Sequence, residues 1–434
     1  MNILLIAPSF HPDDDIGAAR WNRLAKYFMR SQDIIFVITS NFYSNSNNSV
    51  LSERVIRVDF QSSLLDTLMK TISVKKQNIK LEQTRRSYSK ERISILSLIY
   101  SMAINFLGKL ARFPSVYWWS AGTLVRSAKL IIKSEKVDVI IATHPYAVSI
   151  RAARRLSYQT KIPWIADMRD GWSSYYFGEY PLGSFYNKIL KSIEKYYLES
   201  ASKVITVNET LADSLQVDRS KVVVITNVYD PELVEPMATD FGLNNFVHFA
   251  FAGAIHENHC WDIFLQGLTH FRSEINKGRI IINYYGSYYN KLIPKIEKVN
   301  LPDGFIVNKG YLKKRSLMDE LIKADFLLVF GFNGALGDTV TTGKIFDYIE
   351  TGRPVVVVGQ PSSELAKLVS KTGIGIIVSD LNDIKLMILQ ALNDKKKYIN
   401  KIISSKRVEL LSDYSAEVVT EKYKEIIRKI VASK

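Results

Sequence analysis

Residues 341–359 read TTGKIFDYIETGRPVVVVG. A Gly-Lys pair opens the stretch, Asp347 follows one turn later, a Gly-Arg-Pro break comes next, and four valines close it. Four consecutive β-branched residues between a proline and a glycine predict a strand that is apolar on both faces, which is a parallel strand covered by helices. The preceding loop, GFNGALGDTVTTG (331–343), is rich in Gly and Thr and follows the strand-like run DFLLVFGF (325–332). A loop at the carboxyl end of a strand, leading into a helix, is where open α/β sheets hold phosphates. Gly343 would let the chain turn tightly into that helix. Lys344 would then add a point charge to a diphosphate, and Asp347 would accept hydrogen bonds from ribose hydroxyls. The plainer reading makes both solvated residues of a short helix.

The same rhythm runs outward in both directions. Strand-like runs occur at 2–8, 33–40, 137–145, 162–170, 202–208, 220–227, 246–253, 279–286, 305–311, 325–332, 354–359 and 373–378, most of them separated by helix-like segments. This alternation predicts an α/β chain of two doubly wound domains. VYDPELVEPMATDFGLNN (228–245), with two prolines and weak periodicity, marks the boundary. The expected division is 1–230, 231–411 and an amphipathic C-terminal helix over 412–434. With 434 residues the chain is long enough for two domains of about 200 residues each.

Composition narrows the function. The one cysteine, Cys260, excludes a disulfide framework and a Cys-based zinc cluster, and suits a reducing cytoplasm. MNILLIAPSF reads as a first strand and not as a signal peptide. No apolar run is long enough to predict a spanning helix. The net charge of +15 favours polyanionic partners. Its densest part is 70–92, where eight basic residues face Glu82 and Glu91 and supply +6. The uncharged run ISILSLIYSMAINFLG (93–108) follows, and Tyr117, Trp118 and Trp119 close the segment. A basic flank, an apolar helix and an aromatic cluster predict a helix lying in an anionic membrane interface. The alternative is a buried core helix behind a solvated basic loop. Arg151, Arg154 and Arg155 on one helix are most simply a solvated face, with anionic membrane contact second. HPDDD (11–15) could suggest a metal, but three adjacent acids in a loop cannot all face one ion; a gate for a hydroxylated or amino-sugar acceptor, including Asp15, is the favoured reading. No Gly-x-Gly-x-x-Gly dinucleotide loop and no Gly-x-Ser-x-Gly elbow follows a strand. The basic run has only Tyr88 interleaved, so nucleic acid is disfavoured.

KIFDYIETGRPVVVVG resembles the second-domain signature of GT-B glycosyltransferases of the large retaining family 4 type. Other stretches resemble that family in the same order: APSFHPDDDIGAAR, IIATHPYAVS, IPWIADMRDGW, SKVITVNETLADSL, VVVITNVYD, FAFAGAI and GYLKKRSLMDELIKADFLLVF. The likeness spans nearly the whole chain apart from about 41–112. It implies two Rossmann-like domains facing a central cleft, with the C-terminal helix crossing back to the first domain. It also implies a nucleotide-sugar donor, a saccharide or lipid-linked acceptor, retention of configuration and no metal or other cofactor.

Residue by residue, the resemblance puts Asp347 at the ribose and Lys344, with the backbone of Val340, Thr341 and Thr342, at the diphosphate. Gly310, Tyr311 and Leu312 would cradle the base, and Gly253 would face the diphosphate. Gly17 and Arg20 would face phosphate and acceptor, His144 the reacting sugar, and Arg169 and Asp170 the acceptor. Two features depart from the pattern. GAIHENHCWD offers His256 and His259 where many members carry a basic residue, and Thr339 stands eight before Asp347 where many carry a second glutamate. The expectation is a glycosyltransferase of bacterial surface polysaccharide synthesis, cytoplasmic and peripheral on the inner face of the plasma membrane. The alternatives are a non-catalytic GT-B subunit and a sugar-nucleotide epimerase.

Overall fold

The computed structural model describes residues 1–12, 16–41, 54–60, 114–115, 117–174, 183–234, 245–333 and 342–433. They form two compact units. The first holds Met1–Ala18, Phe28–Val224 and Glu425–Lys434, and the second holds Ala19–Tyr27 and Ile225–Lys424. The long span of the second unit therefore begins at Ile225, slightly before the proline-rich stretch, and Ala19–Tyr27 joins it from the N-terminal part of the chain. Residues 235–244 of that stretch lie outside the described residues, as do 61–113, which hold the basic run and the uncharged helix expected at a membrane.

The first unit contains β1 (Asn2–Ile6), β2 (Ile34–Ser40), β3 (Val55–Val58), β4 (Val139–Thr143), β5 (Trp164–Met168), β6 (Lys203–Thr206) and β7 (Val222–Val224), in the order β3-β2-β1-β4-β5-β6-β7. The second contains β8 (Val247–Ala252), β9 (Ile280–Tyr285), β10 (Ile306–Asn308), β11 (Phe326–Phe330), β12 (Val355–Val358) and β13 (Gly375–Val378), in the order β10-β9-β8-β11-β12-β13. Every pairing is parallel. In each sheet the winding reverses once, between β1 and β4 and between β8 and β11. Doubly wound sheets bind ligands outside the carboxyl ends of the strands at such reversals.

The valine run is β12, pairing in register from Leu327↔Val355 to Phe330↔Val358, with all four valines fully buried. The helix before it, Lys344–Glu350, stops because Gly352 takes a left-handed φ of +67° and Pro354 cannot continue it. Gly343, in contrast, has ordinary helical torsions (φ −59°), so the expected special turn is absent there. Sequence reading missed β3, a four-residue edge strand with Arg57 in it and only Val58 fully buried. Behind β11 the core is aromatic, with Trp261 stacked on Phe330 at 3.8 Å.

Gly375 sits opposite Val355 in the β12–β13 register. A Cβ there would run into the Val355 backbone carbonyl. Gly375→Ala is expected to force the two strands apart and lower stability by about 1–3 kcal/mol. An unchanged denaturant midpoint would contradict this packing.

Candidate active site

In the second unit the residues expected at a donor gather at the carboxyl ends of β8, β9 and β10. Three glycines stand there, Gly253, Gly286 and Gly310. The Gly253 amide donates to the Tyr285 carbonyl (2.9 Å), and its own carbonyl accepts from the Tyr284 hydroxyl (3.0 Å). The Gly286 amide donates to the Gly310 carbonyl (2.9 Å). Gly253 has φ +128° and Gly310 φ +73°, torsions that L side chains rarely adopt. At Gly253 a side chain would also collide with the Lys344 ammonium.

Lys344 therefore occupies the space that the missing Gly253 side chain leaves. Its Nζ lies 4.6 Å from the centroid of the Phe251 ring. Among the described residues it makes no salt bridge. Burial pulls its pKa down to about 8, with Asp347 opposing. An incompletely neutralised ammonium at a strand switch point favours an anionic ligand. Thr342, two residues earlier, carries a buried hydroxyl with no partner among the described residues. The Tyr348 hydroxyl, one turn after Lys344, accepts from the Ala252 amide at 2.9 Å and ties the helix to the end of β8.

Asp347 is held from two sides. Its Oδ1 lies 2.5 Å from Arg23 Nη2 and 3.1 Å from Lys314 Nζ. Arg23 also pairs with Glu350 at 2.7 Å and donates to the Val228 carbonyl at 3.0 Å. Glu350 accepts from the Asp230 amide at 2.9 Å. Burial works against the Arg23 charge, but Asp347 and Glu350 outweigh it and raise its pKa. Burial raises the Glu350 pKa, with Arg23 opposing. The Asp347 side chain keeps 22% of its surface exposed, against 1% for Glu350, so of the two carboxylates Asp347 is the one a ligand can reach.

His256 and His259 stand where a basic residue was expected. Their rings are 5.0 Å apart, and His259 packs on Phe332 at 4.5 Å. Burial, and Lys344 after it, lower both pKa values, that of His259 to about 3. Both are neutral at physiological pH and can hydrogen-bond without adding charge.

The first unit places His144 directly after β4, at that sheet's reversal. It is 3% exposed, and its Nδ1 has no partner among the described residues. Burial, assisted by Arg169, lowers its pKa to about 3, so the imidazole is neutral. Its ring lies 6.0 Å from Trp172. Arg169 braces the neighbourhood, donating to the His144 carbonyl at 2.9 Å and to the Gly17 carbonyl at 2.5 Å. Both bonds tie its guanidinium to backbone beside His144. Asp170 is exposed at its own surface, yet protein crowds it, and that burial raises its pKa while Arg169 opposes.

The arrangement corrects the expected role of Arg20. It is 2% exposed, and its guanidinium donates to the carbonyls of Ile225 and Thr226 and contacts Asn227 and the Tyr423 hydroxyl. Those bonds make it a brace of the second unit's entry segment rather than a phosphate ligand. Tyr311 is 74% exposed and Leu312 packs against the second unit's core, so any base contact there comes from backbone. Asp15, Val340 and Thr341 lie outside the described residues. Sequence reading missed Arg23, Lys314, Gly286 and Tyr348. Only Gly286 had a local signal, the glycine ending RIIINYYG.

The glycosyltransferase family 4 sequence model matches residues 98–233. No curated protein matches the chain. Among solved structures, sucrose-phosphate synthase from Thermosynechococcus elongatus aligns with TM-score 0.62 and 14% identity over 100% of both chains. Trehalose-6-phosphate synthase from E. coli, bound with UDP-2-fluoro glucose, aligns with TM-score 0.61 and 11% identity over 99% of both. A TarM variant from S. aureus, in complex with fondaparinux, alpha-GlcNAc-glycerol and UDP, aligns with TM-score 0.57 and 12% identity over 98% of this chain and 99% of that one. The fold is GT-B. The family 4 model matches less than half of the chain, and the solved structures share its fold.

Removing Arg23 strands the buried Glu350 and leaves Asp347 to Lys314. Arg23→Met is expected to cost about 3–5 kcal/mol, with Glu350→Gln in the same chain recovering part of it. The sign with pH follows from Glu350. Without its partner its folded pKa rises further above the unfolded value, so the variant regains stability as pH falls toward the usual carboxylate range. Melting temperatures that fall in parallel with wild type on acidification would contradict the pairing.

Lys344 gives a second pH effect. Its charge is present below about pH 8 and lost above it. UDP affinity is expected to fall roughly five-fold between about pH 8 and about pH 9, with Lys344→Arg flat over that range. Calorimetric titration at several pH values reads this; a flat wild-type profile would contradict it.

Proposed function

We propose that the chain moves a sugar from a nucleotide-sugar donor to a saccharide acceptor, with retention of configuration and without a metal. The observation that carries this reading is the Lys344 ammonium, unpaired by any salt bridge among the described residues and seated at Gly253 beside the partly exposed Asp347. A diphosphate fits the ammonium and ribose hydroxyls fit the carboxylate. UDP is the favoured nucleotide, because the TarM and trehalose-6-phosphate synthase structures carry UDP or a UDP-sugar.

The proposed chemistry is mostly electrostatic. As the donor's sugar–phosphate bond breaks, negative charge grows on the departing diphosphate, and Lys344 stabilises it together with backbone amides of the preceding loop. Neutral His144 hydrogen-bonds and orients the reacting sugar rather than acting as an acid. A leaving phosphate that takes the acceptor hydroxyl's proton on the same face would return the configuration without a covalent enzyme intermediate. The acceptor we propose is a lipid-linked oligosaccharide of a bacterial surface polysaccharide. The enzyme would work at the cytoplasmic face of the plasma membrane, where a basic chain meets anionic lipid.

A thermal-shift and calorimetric screen against UDP-, GDP-, ADP- and TDP-sugars tests the donor reading. Saturable binding to one class is expected, weakened roughly ten- to hundred-fold in both Lys344→Ala and Asp347→Ala. Binding to none of them would favour a non-catalytic subunit. Conversion of the donor with no acceptor present would favour an epimerase.

A further inference from the structure

Two neighbouring helices of the first unit, Ala147–Thr160 and Gly183–Leu198, share an outward face that the donor chemistry does not use. On the first helix Arg151, Arg154 and Tyr158 recur at helical spacing, which places them on one side. On the second, Phe185, Lys188, Ser192 and Tyr196 do the same. Arg154 joins the two stripes, its guanidinium 3.9 Å from the centre of the Tyr196 ring. Arg151 extends the face the other way, over Trp118 at 4.7 Å and Trp119 at 5.3 Å.

Large aromatic side chains on this face are open to solvent. Tyr158 is 75% exposed, Trp119 67%, Phe185 65% and Tyr196 56%. Trp118, by contrast, is buried in the core, so of the tryptophan pair only Trp119 is displayed. The charge is of one sign. The first helix and its cap carry Arg151, Arg154, Arg155 and Lys161 with no acid. The second carries Lys188, Lys191 and Lys195, and its single acid, Glu194, points inward and accepts from the backbone amides of Ser173 and Gln216. Between Lys188 and Tyr196 an open hollow of about 340 Å³ has Ile189 and Ile193 in its lining, an apolar floor beside one lysine.

We propose that this face is a docking surface for an anionic lipid bilayer. Exposed Trp and Tyr prefer the depth of the headgroups, where one end of the ring is apolar and the other wet. Lysines can reach out to lipid phosphate while their stems cover apolar surface. The guanidinium–ring stacks hold the aromatic side chains upright without neutralising the arginines. The proposal deepens the peripheral-membrane reading above and rests on it, but through different residues.

The test is co-sedimentation of the full chain with phosphatidylcholine vesicles made with and without phosphatidylglycerol. Wild type is expected to bind only the anionic vesicles. Lys188→Glu with Lys191→Glu and Lys195→Glu should weaken that binding about ten-fold or more. The same charge change on the second unit, Lys396→Glu with Lys397→Glu and Lys401→Glu, should leave it within about two-fold. Wild-type tryptophan emission should shift to the blue on the vesicles, and Trp119→Phe should abolish the shift. Equal loss from both triple changes would make the effect one of net charge and overturn the assignment. Loss only on charge reversal of residues 70–92 would confine the membrane contact to that segment and also overturn it. Absence of wild-type binding to any vesicle would sink the membrane reading itself.

Discussion

One buried arginine organises the second unit. Arg23 stands between Asp347 and Glu350, on successive turns of the Lys344–Glu350 helix, and also holds the Val228 carbonyl. A short helix has little stability of its own, so its position comes from tertiary contacts. The two carboxylates fix one side of it and the Tyr348 hydroxyl fixes the other to the end of β8. With both sides pinned, Lys344 has one place to go, the gap that Gly253 leaves by lacking a side chain.

This economy of charge shapes the chemistry. The acidic side of the helix is matched by Arg23 and Lys314, while Lys344 has no salt-bridge partner among the described residues. His256 and His259, neutral through burial, add hydrogen-bonding capacity but no charge. The site so defined concentrates its positive charge at one lysine. His144 in the first unit follows the same rule: buried and neutral, it can position a hydroxyl but cannot supply a proton at physiological pH.

Much of the fold was legible because parallel strands buried on both faces must be continuous apolar runs, and the valine stretch is an extreme case. β3 escaped because an edge strand needs only partial burial and tolerates Arg57. Lys344 and Asp347 were legible because loop, helix and strand follow one another within a few residues. Arg23 was not, since its partner lies 324 residues away and nothing local records the pairing. Arg20 and Arg23 show the limit most clearly. They are one turn apart on the same helix, yet one braces backbone carbonyls and the other pairs with the carboxylates of Asp347 and Glu350. Sequence shows that a guanidinium is present, and the fold decides what it meets. The resemblance to family 4 singled out Arg20 and could not make that distinction.

The central claim is that the Lys344–Glu350 helix grips a nucleoside diphosphate. A crystal structure of the chain soaked with UDP tests it most directly. The account predicts the diphosphate against the Lys344 ammonium beside Gly253, and a ribose hydroxyl donating to Asp347 while Arg23 stays on the same carboxylate. Ordered UDP that touches neither Lys344 nor Asp347 would contradict it.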